Sequence, residues 1–207
     1  MSPLLIFPCN GNAIEALDCL DGSGYELLGF VDDSTAKQAT AAYGHAVHAR
    51  SAFARWPEAK VLAVPGRADN YAARKGVIEA LALDAARFAS LVHRTARISP
   101  LASIGRNVLI LAGVVITSNA VIGDHVCLLP NTVIHHDVLI GAWTLVGSNV
   151  TVAGHTTIGE GCYVGSGASL MHGLTVGDGA LVGFGSNVIR SVEPGARVAG
   201  NPARRLV

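Results

Sequence analysis

The chain has 207 residues, half of them apolar and 14% charged, with as many acidic as basic side chains. That length suits one large or two small domains, and the balanced charge leaves no footprint for nucleic acid or for an anionic membrane surface. Its apolar runs fall far short of the about eighteen residues that a membrane-spanning helix needs.

The N-terminal run Met1-Ser2-Pro3-Leu4-Leu5 lacks the basic start of a secretory signal. Leu4–Phe7 reads instead as a buried strand, and the pattern predicts a strand over 4–8 and a helix over about 12–20. A strand over 26–31, weaker segments around 45–57, a strand over 61–64, a helix over about 68–83 and a strand over 88–92 follow. Alternating strands and helices predict a small parallel α/β domain over residues 1–92. Three signals lie at carboxyl ends of its strands, where open α/β sheets bind ligands. They are the turn Pro8-Cys9-Asn10-Gly11-Asn12, the pair Asp32-Asp33, and the turn Val64-Pro65-Gly66-Arg67. Main-chain N–H groups of the first turn suit a phosphate, and the acids suit hydroxyl or base N–H donors. Pro8 takes one N–H donor away. Turn formation and helix capping account for the same residues equally well.

From Ile98 to Val188 every sixth residue is aliphatic, without a gap. Such a repeat specifies a parallel β-helix of hexapeptides. Two positions before each aliphatic residue stands a small or β-branched one, as at Ala120, Thr132, Thr144, Cys162 and Ala180. Each hexad thus points one large and one small side chain inward, as a pleated strand does. Gly105, Gly123, Gly141, Gly159 and Gly177 lie eighteen apart, so three hexads make one coil of a triangular prism. Glycine there suits a corner that is crowded or needs positive φ. The prism and its cap occupy 93–207, and nothing between the two parts reads as a flexible linker. Cys9, Cys19, Cys127 and Cys162 form neither CxxC nor zinc spacing. They read as reduced, buried thiols of a cytoplasmic protein.

The combination resembles the bacterial hexapeptide-repeat amino-sugar acetyltransferases, which join a nucleotide-sugar-binding α/β domain to a left-handed β-helix. Sialic-acid O-acetyltransferases are similar. The residues that carry the resemblance are the strand–turn–helix start, Val31-Asp32-Asp33, the Gly66 turn and the entry His93…Ile98-Ser99-Pro100. Val133-Ile134-His135-His136-Asp137, Val152-Ala153-Gly154 and the tail Gly200-Asn201-Pro202-Ala203-Arg204 complete them.

The resemblance implies an acetyl-CoA-dependent N-acetyltransferase, without a metal, working as a homotrimer on a nucleotide-linked amino sugar. It implies His136 as general base, Asp137 as its orienting acid and the Gly154 N–H as oxyanion donor. Acetyl-CoA would run beside Gly154, Ser166, Gly183 and Phe184, and the acceptor would meet Gly11, Asn12, Asp32, Asp33, Gly66, His135 and His155. The chemistry suits the residues: an attacking amine must lose a proton, which a neutral imidazole accepts. Residues eighteen apart stack in adjacent coils, which puts Gly154 over His136 and His155 over Asp137. The chain departs from the family at Pro8 and Ala13 in the glycine-rich turn, and at Leu129 and Leu145, where relatives carry polar acceptor contacts. A more apolar pocket is the expectation. O-acetylation of a sugar hydroxyl would use the same base, and a non-catalytic binding protein would keep the same fold. A zinc carbonic anhydrase on this prism needs three metal histidines at a spacing that the adjacent His135 and His136 do not give.

Overall fold

The computed structural model describes residues 1–206. The first part is a four-stranded, wholly parallel sheet of β1 (Ser2–Phe7), β2 (Tyr25–Val31), β3 (Val47–His48) and β4 (Lys60–Ala63), in the order β3-β2-β1-β4. β1 is central, and Leu4, Leu5 and Ile6 are fully buried, as a strand covered on both faces requires. The helices are shorter than the sequence predicts. The first is α1 (Gly11–Glu15), which tightens to a 3-10 turn over Ala16–Cys19; α2 (Thr35–Gln38) and α3 (Ala52–Arg55) are single turns. The long helix expected over 68–83 is a 3-10 turn at Tyr71–Ala73 followed by α4 (Arg74–Glu79).

The segment 88–92 is shared between the two parts. Phe88 bridges Val61 in the first sheet, whereas Leu91–Val92 pair with Leu109–Ile110 in the second part. From there the chain winds as a left-handed parallel β-helix of two-residue strands, one every six residues, in three stacked sheets. We call these face 1 (starting at Leu91–Val92), face 2 (Arg97–Ile98) and face 3 (Ser103–Ile104). Each aliphatic residue of the repeat is the inward member of its strand, and nearly all are fully buried. The small inward positions Ala120, Thr132, Thr144, Thr156 and Cys162 are buried with them. The interior threonines stay satisfied: Thr132 and Thr144 donate to the carbonyls of Gly147 and Gly159 at 2.7 and 2.8 Å.

The glycines after the aliphatic residues serve crowding rather than positive φ. A Cβ on Gly141 would lie 2.6 Å from the Glu160 nitrogen of the next coil. The left-handed backbone falls two positions later and recurs every six residues from Asn107 to Gly185, at Asn107, Asn119, His125, Asn131, Asp137, Asn149 and His155, and at glycines such as Gly113, Gly161 and Gly179. Asn, Asp, His and Gly are the residues that tolerate it. Trp143, also at φ 59°, is the bulky exception; its ring stacks on His125 and lies under the Lys75 ammonium.

Face 1 carries the N-terminal domain. Its outward residues Leu91, Leu109, Cys127, Leu145, Tyr163 and Leu181 form one core with Leu4, Ile6, Ala16 and Leu62. The eighteen-residue column of large outward residues marks this face in the sequence, and the reading above missed it. It also corrects the expectation for Leu129 and Leu145. Leu145 is 3% exposed, and both residues pack in this interdomain core rather than in an acceptor pocket.

Polar ties flank the apolar contact. Asn107, wholly buried, accepts from Ala63 N–H and donates to Ala63 O, both at 2.7 Å, completing the edge of β4. Asn107→Ala leaves both groups unpaired, and each costs about 1–3 kcal/mol. The expected result is a clearly lower melting temperature, read by calorimetry. The buried Arg74 guanidinium donates to Pro65 O on the domain side and to His125 O on the prism side. Burial holds its pKa below the ordinary arginine value.

Burial also pushes the His125 pKa from 6.5 down to about 4. The neutral ring accepts from Asn107 Nδ2 at 2.9 Å. Above pH 6.5 the ring is neutral folded or unfolded; as pH falls the unfolded chain takes its proton first, so stability drains between 6.5 and about 4. His125→Asn, which keeps a residue suited to φ 63°, is expected to flatten that part of the melting-temperature profile relative to the parent.

Candidate active site

His136 and Asp137 occupy the turn from face 2 to face 3, directly after the strand Val133–Ile134. His136 Nδ1 and Asp137 Oδ2 are 2.8 Å apart, and Asn119 Nδ2, one coil below, donates to Asp137 Oδ1 at 3.1 Å. The hydrogen bonds from His136 and then Asn119 hold the Asp137 carboxyl below the usual carboxylate range. An ionised Asp137 fixes the proton on His136 Nδ1 and leaves the Nε2 lone pair free. Asn119 was not singled out in the sequence; its signal is the eighteen-residue stacking under Asp137.

Gly154 lies one coil above and is buried. A Cβ there would sit 2.7 Å from both Nε2 and Cε1 of His136. The absent side chain is therefore what lets the imidazole stand at this vertex. The Gly154 N–H makes no hydrogen bond within the described chain. His155 N–H bonds to His136 O at 3.1 Å, locking the two coils together. The His155 ring meets His136 edge-on at 5.0 Å, its Nε2 is 3.8 Å from Asp137 Oδ2, and His172 meets His155 at 5.1 Å. His135 is half-buried and bonds through its main-chain N–H to Val152 O.

The other residues singled out lie elsewhere. Ser166, Gly183 and Phe184 stand at the turn from face 1 to face 2, across face 2 from His136. Ser166 Oγ accepts from Ser148 N–H, and a Cβ on Gly183 would meet that of Ala199 at 2.8 Å. Phe184 is 65% exposed beside Tyr163. The tail forms an antiparallel hairpin, Arg197–Gly200 with Ala203–Arg205, with Asn201-Pro202 at its turn.

In the N-terminal domain, two adjoining clefts of about 320 and 310 Å³ open at the carboxyl ends of the strands. Asn10, Gly66 and Arg67 line both; Pro8 and Asp33 line one, Gly11 and Asn12 the other. The N–H groups of Gly11 and Asn12 bond to nothing else in the described chain. Asn10 caps α1, accepting from Ala13 N–H, and its Nδ2 donates to Val64 O at 3.0 Å. Asn12 Nδ2 reaches Gly66 O at 3.3 Å, and Gly66 has φ 108°, open only to glycine.

Asp32 departs from the expectation of an open ligand contact. It is 6% exposed and accepts from Cys9 N–H, Ser34 N–H and the Lys37 ammonium, clamping the Pro8 turn to the end of β2. Asp33 stays on the cleft rim, paired with Arg50 at 2.7 and 2.8 Å. Arg67, the last residue of the Gly66 turn, is 77% exposed and pairs with Asp69 at 2.6 Å.

The N-terminal domain covers face 1 and touches both turns beside it, through Arg74–His125 and Tyr71–Gly179 on one side and the Glu15–Ala112 cleft on the other. His136 stands at the remaining turn, opposite face 1. A single chain thus keeps its base and its domain clefts apart.

The bacterial transferase hexapeptide model matches residues 101–136, 119–154 and 155–190. No curated protein matches the chain in sequence. The chain is similar to the acetyltransferase domain of PglB from Neisseria gonorrhoeae, solved with acetyl coenzyme A, at 27% identity and TM-score 0.86 over 99% of this chain and 98% of that one. It is similar in fold to PerB from Caulobacter crescentus, solved with CoA and GDP-perosamine, at 23% identity and TM-score 0.87 over 100% and 98%. WeeI from Acinetobacter baumannii gives 23% identity and TM-score 0.84, with both chains fully covered. Residues 101–190 thus match bacterial transferase hexapeptide repeats, carried in the two-part fold that this chain shares with the PglB acetyltransferase domain, PerB and WeeI.

Proposed function

We propose that this protein transfers the acetyl group of acetyl-CoA to the amino group of a nucleotide-linked amino sugar. The observation that carries the reading is the His136–Asp137 pair with its free Nε2 beside the unpaired Gly154 N–H. The similar proteins solved with acetyl coenzyme A, or with CoA and GDP-perosamine, support the donor and the acceptor class.

The acceptor amine attacks the thioester carbonyl while His136 Nε2 takes its proton, and Asp137 stabilises the imidazolium. The Gly154 N–H holds the developing oxyanion. Collapse breaks the C–S bond, and the imidazolium returns the proton to the leaving thiolate. Ser166, Gly183 and Phe184 line the donor path, and Gly11, Asn12, Gly66 and Asp33 the acceptor cleft, with Arg67 added as a phosphate partner. His135 and His155 border the acceptor amine.

A homotrimer belongs to the same proposal. The base stands opposite its own N-terminal domain, so only another copy brings an acceptor cleft to it. Val121 and Leu139 on face 3 are exposed apolar residues that such a contact would cover. Light scattering should give three times the chain mass. A cytoplasmic setting fits the four buried free thiols. No described helix is long and apolar enough to cross a membrane.

The test is to incubate the protein with acetyl-CoA and UDP-, GDP- and dTDP-linked amino sugars, then treat the products with hydroxylamine. An acetylated sugar that resists cleavage is the amide expected here. A product cleaved by hydroxylamine would be an ester and would move the reaction to a hydroxyl.

A further inference from the structure

We propose that His136, Asp137 and His155 also form a divalent transition-metal site of the zinc type, and that the ion switches the base off. One ligand atom from each of the three lies within 4.8 Å of the others. A tetrahedral zinc about 2.0–2.1 Å from its nitrogen and oxygen ligands sets them about 3.3 Å apart. Two of the three spacings fall on either side of that value, with His136 Nδ1 at 2.8 Å and His155 Nε2 at 3.8 Å from Asp137 Oδ2, and the two imidazoles offer ligand atoms within 4.8 Å of each other. The backbone beneath is fixed: Asp137 and His155 both stand at left-handed corners, φ 58° and 59°, in coils joined by the His155 N–H to His136 O bond. The side chains are exposed enough to close on an ion without disturbing the prism. Asn119, bonded to the other Asp137 oxygen, steadies the carboxylate, and His172 backs the His155 ring. Two imidazoles and one carboxylate leave a fourth position open to water.

The consequence for catalysis follows from the lone pairs of imidazole. A neutral ring has one. If the metal takes Nδ1, the proton moves to Nε2, which then cannot accept another; if it takes Nε2, the base itself is occupied. Either way the ion inhibits rather than assists. The binding half rests on geometry alone. The inhibition half rests on the acetyl-transfer reading.

The test is a calorimetric titration of zinc chloride into the tag-free, metal-stripped full chain, alongside His155→Asn, whose asparagine suits the same left-handed corner. One zinc per chain is expected, weakened about tenfold or more in His155→Asn. Absence of saturable binding, or equal binding by both proteins, overturns the site whether or not the protein turns over any acceptor. With the site established, zinc should suppress thiol release from acetyl-CoA, a chelator should restore it, and the inhibitory concentration should rise in His155→Asn by the same factor. Undiminished turnover by the zinc-loaded protein overturns the switch while leaving the transferase reading intact.

Discussion

His136→Ala is expected to lower acceptor-dependent turnover by about 10²–10⁴-fold, the usual contribution of a positioned general base. Stability should move by no more than about 0.5 kcal/mol, because the side chain is 51% exposed and its one side-chain hydrogen bond is to Asp137. Steady-state kinetics and a melting curve on the same preparation check both halves. Loss confined to kcat, with KM for acetyl-CoA held, marks a group that acts in the transition state. A fall in melting temperature matching the loss of activity would instead make His136 a packing residue.

Gly154→Ala should cost activity by a different route. The backbone at Gly154 is not left-handed, so alanine is tolerated conformationally. Its Cβ would nevertheless stand 2.7 Å from the His136 Nε2 and Cε1 atoms. The ring is half-exposed and can swing away, so the fold survives while the bond to Asp137 does not. Misplacing a reacting group by about 1 Å can cost roughly 10²-fold, and a loss of that order in kcat is expected at near-parental melting temperature. Full activity would mean that the imidazole works from another position.

Much of this architecture was legible in the sequence because the hexad leaves the backbone few choices. An aliphatic residue at every sixth position places each strand, and the prism follows without insertion. The stacking of His155 over Asp137 was legible for the same reason, since residues eighteen apart must stack, and the same rule places Asn119 beneath it. What a single period cannot reveal is which side of the prism is covered. That information lay in the outward column Leu91, Leu109, Cys127, Leu145, Tyr163 and Leu181, which differs from its polar counterparts Thr151 and Ser169 on face 2. Leu145 was consequently read as part of a pocket, although it belongs to the domain contact. The N-terminal helices came out shorter than their apolar pattern implied, as marginal helices do when tertiary packing rather than propensity decides them. Asp32 shows the limit for polar residues. Its position at a strand end suits a ligand contact or a turn clamp equally, and only Cys9, Ser34 and Lys37 around it decide for the clamp.

The most direct measurement is release of free thiol from acetyl-CoA by the purified protein, with and without a nucleotide-linked amino sugar, beside His136→Ala. The account predicts release that depends on the acceptor and disappears in the variant. Release that ignores the acceptor, or that His136→Ala retains in full, would contradict it.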